Sequence, residues 1–301
     1  MLAKLKKSCP DCTESSQKTY LKSIRALSKL AGNDEVPATH RWINKPLLAK
    51  IKKRPLVQYK RFAIAGVKAL KAYGVTDNKP WWEAMRDATA KYTKVRLTGK
   101  RTKREAERWP KGGYKAIAKL AKTLHSEVAH LEGAKSLSLR DLWLYQRYFV
   151  LLFYSRHTLR GDLADVRIKR GTKPQSWVYK KKRGGYHMHI GQHKTVKSRG
   201  ALEIDLDPAV DKALDKFLPM VRKHTDHGFL LTTRTGTRMR RVDMMLLIAN
   251  TTETYLGKRI GIQLLRVMKT TGNLKSLEKA HELQAELGHS AFMQRQYISK
   301  A

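Results

Sequence analysis

An arginine, a lysine, a second arginine, a histidine and a tyrosine recur along this 301-residue chain, each in a segment unusually polar for its position. Arg160 lies in Thr158-Leu159-Arg160-Gly161-Asp162-Leu163, directly after an apolar helical run. Lys194 lies in Gln192-His193-Lys194-Thr195, between two predicted strands, and reads as a hairpin lysine near the tip. Arg266 closes Ile262-Gln263-Leu264-Leu265-Arg266 on a predicted helix. His289 lies in Leu287-Gly288-His289-Ser290, where Gly288 ends one helix and Ser290 caps the next, and Tyr297 follows. Taken singly, ordinary roles account for each: a surface arginine paired with Asp162, a solvated lysine, an arginine snorkelling from a partly buried helix, a corner histidine and a core tyrosine. No HExxH motif, no paired carboxylates and no complete metal-ligand set is present. That fits chemistry without a metal or cofactor.

The order of these segments resembles that of the tyrosine recombinase/integrase family. Ser16-Gln17-Lys18-Thr19-Tyr20-Leu21-Lys22-Ser23-Ile24 is similar to the opening helix of that family's core-binding domain. Leu159-Arg160-Gly161-Asp162-Leu163-Ala164-Asp165-Val166-Arg167, and Lys194-Thr195 followed by Gly200, are closest to members from eukaryotic viruses and mobile elements. The resemblance implies that Tyr297 attacks a DNA phosphodiester, leaving a 3′-phosphotyrosyl link and a free 5′-hydroxyl. It gives Arg160 and Arg266 the non-bridging oxygens, Lys194 the proton for the departing 5′-oxygen, and His289 a hydrogen bond to the phosphate. The residue types suit these roles. A tyrosyl ester conserves the phosphodiester energy, and guanidiniums are forked, permanently charged donors for a transition state that gathers charge on oxygen. A lysine in a cationic site has a lowered pKa and can act as a general acid.

Two positions depart from the family pattern. The histidine usual three residues before the second arginine is Gln263, which can donate a hydrogen bond but cannot act as a base at neutral pH. Only Ile298, Ser299, Lys300 and Ala301 follow the tyrosine, whereas many relatives carry a further helix that docks on a neighbouring subunit.

The composition agrees with a polyanionic partner. Lys plus Arg is 63 and Asp plus Glu is 25, a formal charge of +38, while 41% of residues are hydrophobic. This is a folded protein with a basic surface, and double-stranded DNA is its first candidate partner. No apolar run reaches membrane-spanning length; the longest, Tyr148 to Tyr154, reads as a buried helix. The N-terminus lacks the apolar core of a secretory signal, so the expected location is where the target DNA is: the nucleus in a eukaryotic host, otherwise the cytoplasm or nucleoid. Cys9 and Cys12 read as two incidental thiols near a frayed terminus, in a reducing compartment.

Periodicity and punctuation place helices over 13–31, 46–53, 57–73 and 80–92, then over 114–131 and 139–154. Short alternating runs at 166–168, 177–179, 186–190 and 202–206 read as a small antiparallel sheet. Helices return at 208–224, 241–255, 262–271, 277–287 and 291–299. The expected fold is mainly α with a small antiparallel sheet: a helical core-binding domain at 1–95, a basic linker at 96–104 and a catalytic domain at 105–301. By resemblance the two domains form a C-shaped clamp that assembles as a tetramer on DNA. Arg101, Lys103 and Arg104 in the linker, with Lys180, Lys181, Lys182, Arg183, Arg238, Arg240 and Arg241, are expected to contact phosphates. A type IB topoisomerase and a non-catalytic DNA-binding relic are the alternatives; the complete Arg, Lys, Arg, His, Tyr set argues against decay.

Gln263 generates a direct test. It shares a helical face with Arg266. Gln263→Ala should slow single-turnover DNA cleavage modestly, and Gln263→His should keep activity because a neutral imidazole also has one donor. Wild-type rates in Gln263→Ala would show that the side chain never meets DNA.

Overall fold

Helix caps and apolar faces set the first hundred residues. The computed structural model describes residues 1–272 and 286–287. The chain divides into two compact units, Met1–Thr98 and Gly99–Ala301. The first opens with α1 (Leu2–Ser8) and α2 (Glu14–Leu30), whose start is capped by Thr13 Oγ1 accepting from the Ser16 amide at 3.3 Å. There follow α3 (Lys45–Lys52), capped by Asn44 on the Leu47 amide at 3.0 Å, α4 (Leu56–Ala72) and α5 (Lys79–Leu97). Ile24, Leu27, Ile51, Ala63, Leu70, Trp81 and Ala88 make one apolar core.

Two expectations for this unit change. Leu5 is buried in that core, so the terminus is a packed helix rather than a frayed one. Cys9 and Cys12 are joined in a disulfide and are not free thiols: the Cys12 amide donates to the Cys9 carbonyl, and the tight turn brings the Cα atoms to 5.4 Å, within bridging range.

The linker is shorter than its charge density indicates. Helix α5 runs through Leu97, and α6 (Lys103–Arg108) begins at once with a capping box: the Thr102 amide donates to Glu105 Oε2 at 2.8 Å, and the Glu105 amide donates to Thr102 Oγ1 at 3.2 Å. The division falls at Thr98–Gly99, inside the expected linker 96–104. Lys103 and Arg104 open α6, and Arg101 lies 3.8 Å over the Trp109 ring.

In the second unit α7 (Lys115–Val128) packs on α8 (Leu139–Arg156), which is buried without a break from Phe149 to Tyr154. The sheet comprises β1 (Val166–Arg167), β2 (Ser176–Lys180), β3 (Tyr186–Ile190) and β4 (Leu202–Asp205), in that order. It is mixed, not antiparallel throughout: β1 runs parallel to β2, with Val166 opposite Ser176. The two residues of β1 are too few for alternation to report direction. Their other edge pairs with residues 228–230, where the Leu230 amide donates to the Val166 carbonyl at 2.8 Å. Between β3 and β4 the chain makes a short helix, α9 (Val196–Arg199), so Lys194 sits in a structured loop rather than at a tight hairpin tip. Helices α10 (Pro208–His224), α11 (Arg241–Leu256) and α12 (Ile262–Gly272) complete the described fold. Among the described residues no helix is long and apolar enough to cross a membrane.

Gly66 marks the tightest helix contact in the first unit. A Cβ there would lie 2.2 Å from Cζ3 of Trp81, whose ring is 1% exposed and has nowhere to go. Gly66→Ala should destabilise this unit by about 1–3 kcal/mol through overpacking. Urea unfolding followed by tryptophan fluorescence measures it, and an unchanged midpoint would refute the close contact.

Candidate active site

The buried end of α8 delivers the first arginine. Tyr154 is fully buried, and its hydroxyl donates to the Arg160 carbonyl at 2.6 Å, fixing the half-buried Arg160 at the head of the turn 161–165. Burial holds the Tyr154 hydroxyl well above its ordinary pKa. Asp162 adds to that shift, and Arg266 and Arg241 oppose it from within electrostatic range. Helix α12 is tied to the end of α8 through Lys269, which donates to the Arg156 carbonyl, and carries Arg266. The Arg266 side chain is 1% exposed, so the guanidinium lies beneath the surface. It donates to Gln263 Oε1 at 3.4 Å and to the Leu287 carbonyl at 3.2 Å. The exposed Gln263 thus shares a face with Arg266, as its spacing requires.

Asp162 is the centre of the charge arrangement. It is 2% exposed, and burial pushes its carboxyl pKa up, while Arg241, His193 and Arg160 pull it back. Its partner is not Arg160 but Arg241, an ion pair at 3.2 Å without hydrogen-bond alignment. Arg241 also bonds Asp165 through Nε and reaches the Gln192 carbonyl from Nη2 at 3.4 Å. Gln192 begins the Lys194 loop. The neighbouring His193 ring is buried, with Nε2 2.8 Å from the Gly200 carbonyl and Nδ1 3.2 Å from Thr195 Oγ1. Lys194 itself is exposed. The loop enters through Gly191, where a Cβ would lie 2.3 Å from the Gln175 carbonyl oxygen, so only glycine fits.

A second carboxylate ties the C-terminal segment to this frame. Glu286 Oε1 accepts from the Thr158 amide at 2.6 Å, and Oε2 pairs with Lys269 at 3.0 Å. Lys269 also donates to the Arg156 carbonyl at 2.6 Å. Beside them His157 is buried, which lowers its pKa, and its Nε2 accepts the Asp207 amide at 3.0 Å. Three of the four expected segments therefore converge: the Arg160 turn, the Lys194 loop and the Arg266 helix. The fourth is described only at Leu287, held by Arg266; His289 and Tyr297 lie outside the described residues.

The expected phosphate contacts begin from occupied states. Lys180 pairs with Asp215 at 2.7 Å, Lys181 with Asp205 at 3.0 Å, Arg238 with Asp165 at 2.7 Å and Arg240 with Asp243 at 2.8 Å. Lys182 and Arg183 are exposed in the turn between β2 and β3. Tyr154, Arg241 as an inward staple, Glu286 and Lys269 were missed from sequence. Asp162 stands two residues after Arg160, the only signal for its role, and its partner is far away along the chain. Among the described residues no cluster of His, Cys, Asp and Glu could hold a metal ion.

No family model matches this chain, and no curated protein does. Among solved structures it is similar to a crystal structure of XerA recombinase, at 14% identity and a TM-score of 0.44, over 100% of this chain and 92% of that one.

Tyr154→Phe removes one buried hydroxyl and leaves the Arg160 carbonyl without its donor. The expected cost is about 1–3 kcal/mol of stability, measured by denaturant unfolding, with DNA affinity at fixed salt unchanged. Unaltered stability would show that the hydroxyl bond holds nothing.

Proposed function

We propose that this protein is a DNA strand transferase of the tyrosine recombinase type, acting in integration or excision of a virus or mobile element. The observation that carries the reading is that the Arg160 turn, the Lys194 loop and the Arg266 helix are tied together by hydrogen bonds: Tyr154 to Arg160, Arg241 to Gln192, and Lys269 to Arg156. These segments are distant in sequence, and a solvated role for each cation gives no reason for them to meet. The net charge of +38 supports DNA as the substrate.

In this mechanism the Tyr297 phenol gives up its proton to solvent, a loss that the neighbouring arginine charge favours, and its oxygen attacks the scissile phosphorus. A bond forms from that oxygen to phosphorus, the bond from phosphorus to the 5′-oxygen breaks, and Lys194 supplies the proton that makes the leaving group a hydroxyl. Arg160 and Arg266 carry the charge that develops on the non-bridging oxygens. Gln263 accepts from Arg266 through its oxygen, leaving its amide hydrogens as the end able to donate to phosphate. His289 donates a further hydrogen bond. Religation by a 5′-hydroxyl reverses the same steps.

A nicked suicide substrate built on the element's terminal repeats should give a protein–DNA adduct that survives SDS. Tyr297→Phe should abolish it and retain DNA binding; an adduct persisting in that variant would refute the nucleophile. Arg160→Lys and Arg266→Lys should each lose on the order of a hundredfold to a thousandfold in cleavage rate, because an ammonium cannot reproduce the fork. Near-normal cleavage by both would remove the arginine clamp. Because side chains fill every role, EDTA should leave the rate unchanged, and loss of cleavage in EDTA would reveal a metal requirement.

A further inference from the structure

We propose that Arg241 is a positioning residue: it staples the Lys194 loop to the Arg160 turn and so aims the general acid at the phosphate. The proposal rests on the strand-transfer reading above. From sequence Arg241 is one more phosphate-binding arginine in a basic run. Its geometry gives it a different task. The aliphatic stem lies against Gly161, where a Cβ would sit 3.5 Å from its Cβ, and the head serves three oxygens on two segments. Nη1 faces Asp162 at 3.2 Å, Nε donates to Asp165, and Nη2 donates to the Gln192 carbonyl at 3.4 Å. Asp162 and Asp165 belong to the Arg160 turn; Gln192 stands two residues before Lys194. Arg238, bonded to the other Asp165 oxygen at 2.7 Å, fixes that carboxylate from its far side.

The rest of the loop is held by β2 and by its own residues. Gly191 donates its amide to Ser176 Oγ at 3.1 Å, and His193 contacts the Gly200 carbonyl. These contacts set the loop's shape and leave its attachment to the Arg160 turn to Arg241. A guanidinium suits this task because its donors diverge in one plane and can hold a carboxylate and a carbonyl together. A lysine has one charge centre and cannot span the same set.

The test separates an effect on the general acid from an effect on phosphate binding. A 5′-bridging phosphorothioate has a leaving group that needs no proton. On ordinary suicide DNA, Arg241→Met should cleave slower by on the order of a hundredfold, the scale of an ångström-sized misplacement of a catalytic group. On the phosphorothioate its rate should return to near that of the wild type, as it should for Lys194→Ala. Equal slowing on both substrates would overturn the proposal. So would a fall of about one in the slope of log affinity against log salt, which would mark Arg241 as a phosphate contact.

Arg241→Lys guards against misfolding, since it keeps a positive charge beside Asp162 and Asp165 while losing the bond to Gln192. It should show the same rescue. Hydrogen exchange supplies a readout without DNA: amides of residues 192–196 should exchange faster in both variants, with those of α8 unchanged. Unchanged exchange in the loop would refute the staple. If the wild-type protein cleaves neither substrate, the strand-transfer reading falls and takes the general-acid role with it, while the exchange data still decide whether Arg241 holds the loop.

Discussion

Cations gathered in one part of a fold must be held together by negative charge. Like charges a few ångströms apart repel, and the repulsion grows where water is excluded. In this protein the buried carboxylate of Asp162 meets that requirement. Arg241, His193 and Arg160 all lie within its field, and each favours its ionised form against the cost of burial. Glu286 does the same for Lys269 at the other edge of the frame. With 25 acidic residues against 63 basic ones, few carboxylates are available. Two of them stand where segments distant along the chain have to join.

The backbone supporting these charges is secured by neutral hydrogen bonds inside the second unit's core. Gln146 is fully buried and exchanges two 2.8 Å bonds with the Thr232 backbone, tying α8 to the strand-like segment before α11. Tyr114 donates to the Tyr154 carbonyl, and Tyr154 donates in turn to that of Arg160. An apolar helix thus ends in a chain of hydroxyls that reaches the first arginine. Each bond is modest in net energy, but breaking one strands a buried acceptor, and that penalty keeps the geometry unique.

Within the described residues most helices were legible because their signals are local, while the helices expected at 277–287 and 291–299 lie outside the described residues but for Glu286 and Leu287. Thr13 and Asn44 cap where their chemistry says they should, and Ile24 and Leu27 fall on the buried face that their spacing indicates. The capping box at Thr102 and Glu105 was equally local, but dense charge around it read as linker. Strand direction was not legible. It depends on which edge two residues of β1 find, and the partner segment lies some sixty residues on. Arg160, Gln263 and Arg266 were singled out from their order along the chain, and Gln263 and Arg266 do share a helical face. The carboxylates that Arg241 meets were not legible, because a basic run says nothing about which carboxylates its side chains will meet.

The same distinction separates the two populations of arginine and lysine on this molecule. Lys180, Lys181 and Arg240 pair with carboxylates at exposed positions, where an ion pair is worth about 0–1 kcal/mol. Exchanging such a carboxylate for a DNA phosphate costs little, so these residues can be held in place and still be available to a polyanion. Arg266 is different: at 1% exposure its guanidinium cannot trade partners without moving the groups that cover it. One of the oxygens it holds is the Leu287 carbonyl, at the root of the segment leading to His289 and Tyr297. Contact between Arg266 and a phosphate would therefore require rearrangement of what covers it, and the bond to the Leu287 carbonyl would be part of that change. Under the strand-transfer proposal, electrostatic attraction alone would bring DNA to the exposed cations, and completing the site would depend on this buried one.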